Sequence, residues 1–242
     1  MYLYRVGVLL VGAAFAARPG VALAQESGPI AVSEGAELAS DYRFRGVSRS
    51  DENPAARADI DITLPVGGQS NLFAGAEVVA ATGHSDFGNA QLLAYAGIER
   101  QTGAFTLSAG GRAYLFPDAH GRDYVELFAS GRTQLGPLSG KLGFAYVPTQ
   151  ANVGGRRGVY LFSDLDAGIP STPLTISAHL GWEDNATFRN KADWSLNLTW
   201  VHNPWSLGVG YVDTNRHAPI LDNGRVRNDA KATLVVTAGL SF

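Results

Sequence analysis

The residues best suited to chemistry stand near the start of the chain. Glu37, Asp41, Arg43 and Arg45 occupy alternate positions against Leu38, Tyr42 and Phe44, and Arg57, Asp59 and Asp61 alternate with Ala58, Ile60 and Ile62. A period of two puts each charged set on one face of an extended strand. Folding the chain about residues 50–53 brings Arg43 and Arg45 opposite Asp59 and Asp61, within reach of cross-strand ion pairs. Such a ladder has two uses. Lining a constriction, it sorts solutes by charge; filling an interior, it is a paired network that holds register, because buried charge has to be paired. From these residues alone both uses stay open.

Catalytic arrangements are poor by comparison. His84-Ser85-Asp86 holds the residue types of a hydrolase triad, but three neighbours in one turn do not converge as nucleophile, base and orienter. His179 lies two positions from Ser177 and one expected strand from Ser195, an arrangement that also suits a satisfied polar histidine. No phosphate-binding glycine loop, zinc helix or calcium loop occurs, so no cofactor, no metal and no catalytic residue is expected. The acidic turns Asp51-Glu52-Asn53 and Asp222-Asn223-Gly224 could hold divalent cations that bridge lipopolysaccharide, or be ordinary solvated turns.

What positions these side chains is a repeated strand pattern. Alternation recurs in twelve stretches of about the length a tilted strand needs to cross a bilayer: 35–47, 55–66, 72–81, 90–100, 104–115, 123–135, 138–147, 157–169, 174–182, 191–201, 205–213 and 230–242. The connections alternate too. Those at 67–71, 101–103, 136–137, 170–173 and 202–204 are tight, every other one is about eight residues or more, and the longest is 214–229. Short turns at one end and long loops at the other are the rhythm of an up-and-down transmembrane barrel, with both chain ends on the short-turn, periplasmic side.

The faces can be assigned residue by residue. Trp194, Leu196, Leu198 and Trp200 oppose Asp193, Ser195, Asn197 and Thr199, and Leu234, Val236, Ala238, Leu240 and Phe242 oppose Thr233, Val235, Thr237, Gly239 and Ser241. The inward face also receives Glu77, Glu99, Arg112, Glu126, Arg132, Lys141, Asp164, Asp166, Glu183, Asp193 and Lys231. With the first hairpin this gives eleven acidic and seven basic lumen positions and a mild expected preference for cations. Eight strands are filled by their own side chains and sixteen leave a wide channel, so twelve leave a narrow lumen, open or plugged by these charges.

Whole-chain features agree. Residues 1–24 read as a secretory signal peptide, with Arg5, an apolar run from Val6 to Ala17 and the small-residue site Ala22-Leu23-Ala24; the barrel domain is then 25–242. The absence of cysteine excludes disulfides and a thiol nucleophile. Charged residues are 17% of the chain, against about 25% in soluble domains, while Gly numbers 29. A net charge of −3 without a basic cluster excludes nucleic acid as a partner. A soluble barrel with an apolar interior gives the same alternation, but its polar face would be rich in Lys and Glu, whereas this one is Gly, Ser, Thr and Asn.

The block Ser40-Asp41-Tyr42-Arg43-Phe44-Arg45-Gly46-Val47-Ser48-Arg49-Ser50-Asp51, followed by Asn53-Pro54-Ala55, resembles the opening of the TorF porin family, and Trp205 to Thr214 is a weaker second match. The resemblance implies a bacterial outer-membrane, porin-like role and carries no catalytic residue and no solute. The final Phe242 on an amphipathic strand resembles the feature by which the barrel-assembly machinery recognises its clients. The expected function is therefore a narrow passive channel for small hydrophilic solutes or ions. Its rivals are a non-conducting barrel acting through external loops and, last, an outer-membrane lipid hydrolase.

Overall fold

The computed structural model describes residues 30–216, 220–222, 225–227 and 229–242. The expected signal peptide and the Asn223-Gly224 turn lie outside the described residues. Twelve strands build the wall: β1 Ala31–Ala39, β2 Ala55–Gly67, β3 Ser70–Ser85, β4 Gly88–Thr102, β5 Phe105–Leu115, β6 Tyr124–Leu135, β7 Leu138–Val147, β8 Gly158–Gly168, β9 Leu174–Asp184, β10 Lys191–His202, β11 Trp205–Thr214 and β12 Thr233–Ser241. Each pairs antiparallel with its successor, and β12 pairs with β1 from Gly35↔Ser241 to Ala39↔Thr237, so the barrel is closed. Closure leaves no strand edge unpaired, which a sheet inside a bilayer requires. The even count brings both ends of the wall together, where the Phe242 N–H donates to the Glu34 carbonyl at 3.0 Å.

The two faces of the wall are inverted relative to a soluble protein. On β10, Asp193, Ser195, Asn197 and Thr199 are buried while Leu196 and Leu198 are exposed. On β12, Val235 and Thr237 are buried while Leu234 and Val236 stand out. Exposed apolar side chains recur around the whole circumference, with Leu142 at 70% exposure and Trp182, Trp205 and Phe242 among them. An apolar exterior round a polar interior is the distribution of a barrel solvated by lipid, and the alternative of a soluble barrel with an apolar core does not fit it.

Three elements depart from the sequence pattern. The first strand ends at Ala39 rather than at 47, and residues 40–54 leave the wall. The expected loop near 82–89 is mostly strand: β3 and β4 run on to Ser85 and Gly88 and turn over Asp86-Phe87. That extension leans on the segment that returns to the wall, with the Thr82 N–H donating to the Pro54 carbonyl at 2.9 Å and a Cβ on Gly83 meeting the Ser50 carbonyl. Third, β12 begins at Thr233, so Lys231 is not a lumen residue; its half-exposed ammonium pairs with Glu52 at 2.6 Å.

Candidate functional site

Residues 40–54 connect β1 to β2 by way of the barrel interior. The segment makes a small hairpin, Arg43–Phe44 against Val47–Ser48, whose turn is Arg45-Gly46 with φ of 50° and 80°. The Asp41 carboxylate organises it, accepting from the Ser48 and Ser50 hydroxyls at 2.6 and 2.9 Å and from Arg43 Nε at 2.5 Å. The backbone closes alongside: the Arg49 N–H donates to the Tyr42 carbonyl and the Tyr42 N–H to Ser50 Oγ. Arg43 then binds the loop to the mouth of the barrel by donating to the Asp229 and Lys231 carbonyls at 2.9 and 3.0 Å. Thus the block Ser40 to Asp51 specifies an inward loop, not the top of a strand.

At its tip the loop meets the far wall. A Cβ on Gly46 would lie 2.4 Å from Thr214 Cγ2 and 2.8 Å from Asp193 Cβ, so both the positive φ and the contact require glycine there. Beside it Arg45 is buried and forks between two strands, pairing with Glu126 on β6 and donating to Glu183 on β9 at 2.9 Å. Lys191 at the start of β10 completes the cluster, 3.0 Å from Glu183 and 3.5 Å from Asp193, and donates to the Arg45 carbonyl. Burial depresses the Arg45 pKa, but the Glu126 and Glu183 carboxylates more than offset this and raise it well above its ordinary value. The guanidinium stays charged.

The returning strand of the loop packs on aromatics. Arg49 lies 3.4 Å above the Phe44 ring and donates to Gln91 at 2.5 Å and to the Tyr124 hydroxyl at 3.2 Å. Phe44 meets Tyr114 edge-on at 5.5 Å, and Tyr114 stacks on Tyr124 at 4.6 Å. These rings form the apolar cluster inside the barrel. They fix the loop by packing, as the ion pairs fix it by charge.

The remaining expected lumen residues face inward on the wall, in separate groups. Glu37 stands opposite Arg57, and Arg57 lies 3.7 Å from both Asp59 and Glu77. Asp61 accepts from the Tyr95 hydroxyl. Further round the wall Arg112, opposite Tyr95 in register, is 3.4 Å from Glu126, Arg132 donates to Ser139 at 3.3 Å, and Asp164 and Asp166 line β8. The expected pairing of Arg43 and Arg45 with Asp59 and Asp61 is therefore incorrect: the arginines have left the wall, and their ion-pair partners are Asp41 and Glu52 for Arg43 and Glu126 and Glu183 for Arg45. With Lys231 outside and Arg49 and Lys191 inside, the acidic excess falls by one. Lys191 opens its strand opposite Glu183 in register, a position from which its inward face was legible.

His179 does not form a nucleophile dyad. Its Nδ1 bonds with Asp164 at 2.6 Å, while Nε2 meets the Tyr160 hydroxyl at 2.8 Å and Asp193 at 3.1 Å. Among the described residues these are its partners, none is a serine, and the ring faces the lumen and not the lipid. The side chain of His84 lies outside the described residues. Among the described residues no group of His, Asp and Glu has the arrangement of a metal site.

Solved structures with this fold are outer-membrane barrels. The NanC porin structure matches with a TM-score of 0.56 at 10% identity, covering 88% of this chain and 99% of that one. KdgM porin matches at 0.53 and 13%, covering 87% and 98%. Outer membrane phospholipase A from Escherichia coli matches at 0.53 and 10%, covering 86% and 89%. At these identities the likeness establishes the fold and carries no solute or activity. No curated protein matches the sequence. Residues 23–242 match the family described as "Bacterial protein of unknown function (Gcw_chp)", and the chain belongs to that family.

Proposed function

We propose that the protein is a passive, porin-like channel of the bacterial outer membrane for small hydrophilic solutes or ions, with residues 40–54 as its constriction. The observation that carries this reading is a polar, charged lumen inside a closed, apolar-skinned ring, crossed by a loop tied to the far wall through Arg45. The porins among the structures of the same fold support it, as does the resemblance of the Ser40 to Asp51 block to the TorF porins. In this reading the shared end of the two termini faces the periplasm, the long loops meet lipopolysaccharide outside, and Phe242 is offered to the barrel-assembly machinery.

The loop also favours a second reading. A segment this firmly held can plug the lumen, leaving a non-conducting barrel that acts through its external loops. Single-channel recording of the refolded protein in a planar bilayer under a salt gradient separates the two. Reproducible conductance steps establish the channel; a folded, inserted barrel that stays silent establishes the plug. The lipid-hydrolase reading has no observation in its favour beyond the fold shared with the phospholipase, and we do not propose it.

A further inference from the structure

Charge is unevenly distributed round the lumen. On β1–β4 the inward face carries Glu37, Asp59, Asp61, Glu77 and Glu99 against a single cation, Arg57. Arg57 is divided between Asp59 and Glu77, each at 3.7 Å, while it also stands opposite Glu37. Glu37 is only 8% exposed, and its Oε2 is buried without a hydrogen-bond partner among the described residues. The Arg57 guanidinium is shared among Glu37, Asp59 and Glu77, Arg49 of the inward loop adds its charge beside Glu77, and one Glu37 oxygen is left over.

Aromatic rings lie between the carboxylates along the same wall. The Tyr95 ring lies across Gly75, where a Cβ would stand 2.4 Å from its Cζ, and its hydroxyl donates to Asp61. One register step nearer the chain ends, the Phe73 ring lies across Gly97, where a Cβ would stand 2.5 Å from its Cζ, and it is 6.2 Å from Phe128. Glu99 follows, opposite Asn71, which donates to it at 2.9 Å. Glycine beneath each ring lets it lie against the wall. Carboxylates attract any cation, but a π face adds attraction for a weakly hydrated organic cation in particular. Arg132 on β6 flanks Glu99 at the edge of this track, and Lys141 on β7 lies beyond it.

We infer that the β1–β4 third of the lumen is a binding track for organic ammonium cations, held by Asp61, Glu77 and Glu99 with Phe73 and Tyr95 as π surfaces. The inference deepens the channel reading by naming a solute class, and it rests on solute reaching the lumen.

The test is titration of the refolded full chain in detergent with choline chloride, followed by ligand-observed NMR, with sodium acetate as the anionic control. The assignment expects choline to bind and acetate not to. Phe73→Leu should weaken choline roughly threefold to tenfold while leaving the potassium-to-chloride reversal potential in bilayers unchanged. Glu99→Gln should weaken choline and also shift the reversal potential towards anions; it removes no contact from the inward loop. Choline binding equal in the wild type and both variants, each with a β-barrel circular dichroism spectrum, would overturn the track, as would a barrel that conducts but does not bind choline. A barrel that binds choline yet never conducts would keep the track and overturn the channel.

Discussion

Arg45 and Glu126, 81 positions apart in the sequence, form an ion pair inside the lumen that joins the tip of the inward loop to β6. Around that pair the buried cluster comprises Glu183, Lys191 and Arg112, so charge in the interior is matched by charge from four different strands. Buried ion pairs contribute little net stability compared with an apolar replacement, but removing one partner is costly. Their value here is positional, since they select one placement of the loop.

Arg45→Ala should leave Glu126 and Glu183 short of a cation and release the loop tip. The expected cost is about 3 kcal/mol in the unfolding of the refolded barrel, with faster tryptic cleavage within residues 40–54. Unchanged denaturant midpoints and unchanged cleavage would show that the ion pair does not hold the loop.

Gly46→Val should displace the loop, because a side chain there meets Thr214 and Asp193 in a backbone conformation with φ of 80°. Gly103→Val supplies the comparison, since its φ is 59° but nothing lies within 4 Å. Both substitutions carry a backbone cost of about 1–2 kcal/mol, and only Gly46→Val should also expose the loop to trypsin. Equal cleavage of the two variants would count against the close approach.

The pair between Lys231 and Glu52 sits at the mouth with both partners partly exposed, so its removal should be mild. Glu52→Gln should cost under about 1 kcal/mol, and any change in current fluctuation should disappear by about 1 M salt, where the Debye length is near 3 Å. An effect that persists at high salt would mean that Glu52 acts through Arg43 and not through Lys231.

Leu196→Arg tests the lipid face. Leu196 is 57% exposed near the middle of β10, so in a soluble protein the change would be almost silent. In a bilayer it should cost about 2–4 kcal/mol, read from reversible unfolding in lipid vesicles. A cost near zero would contradict the assignment of the exterior to lipid.

Much of the wall was legible because period-two alternation is a local signal: the strand count holds, the strands from β2 to β11 lie where the pattern puts them apart from the extension of β3 and β4, and the inward face of β10 from Asp193 to Thr199 follows from it directly. The loop was not legible, because Asp41-Tyr42-Arg43-Phe44-Arg45 alternates as a strand does. Only Gly46, and the closely spaced hydroxyls Ser48 and Ser50 that bond Asp41, marked a turn there. Long-range partners left no local trace: nothing near Arg45 specifies Glu126 or Glu183, which are brought to it by barrel closure. Strand extension beyond the membrane band was equally silent, since β3 and β4 continue through Thr82-Gly83-His84 to a tight turn only because the loop's return segment supports them.

The central claim is that residues 40–54 constrict a conducting lumen, and the most direct test compares single-channel conductance of the refolded wild type and Arg45→Ala in planar bilayers. The account predicts small, reproducible, cation-biased steps for the wild type and larger steps for the variant. Silence from the wild type, or identical steps from the two proteins once tryptic cleavage has shown the variant loop released, would contradict it.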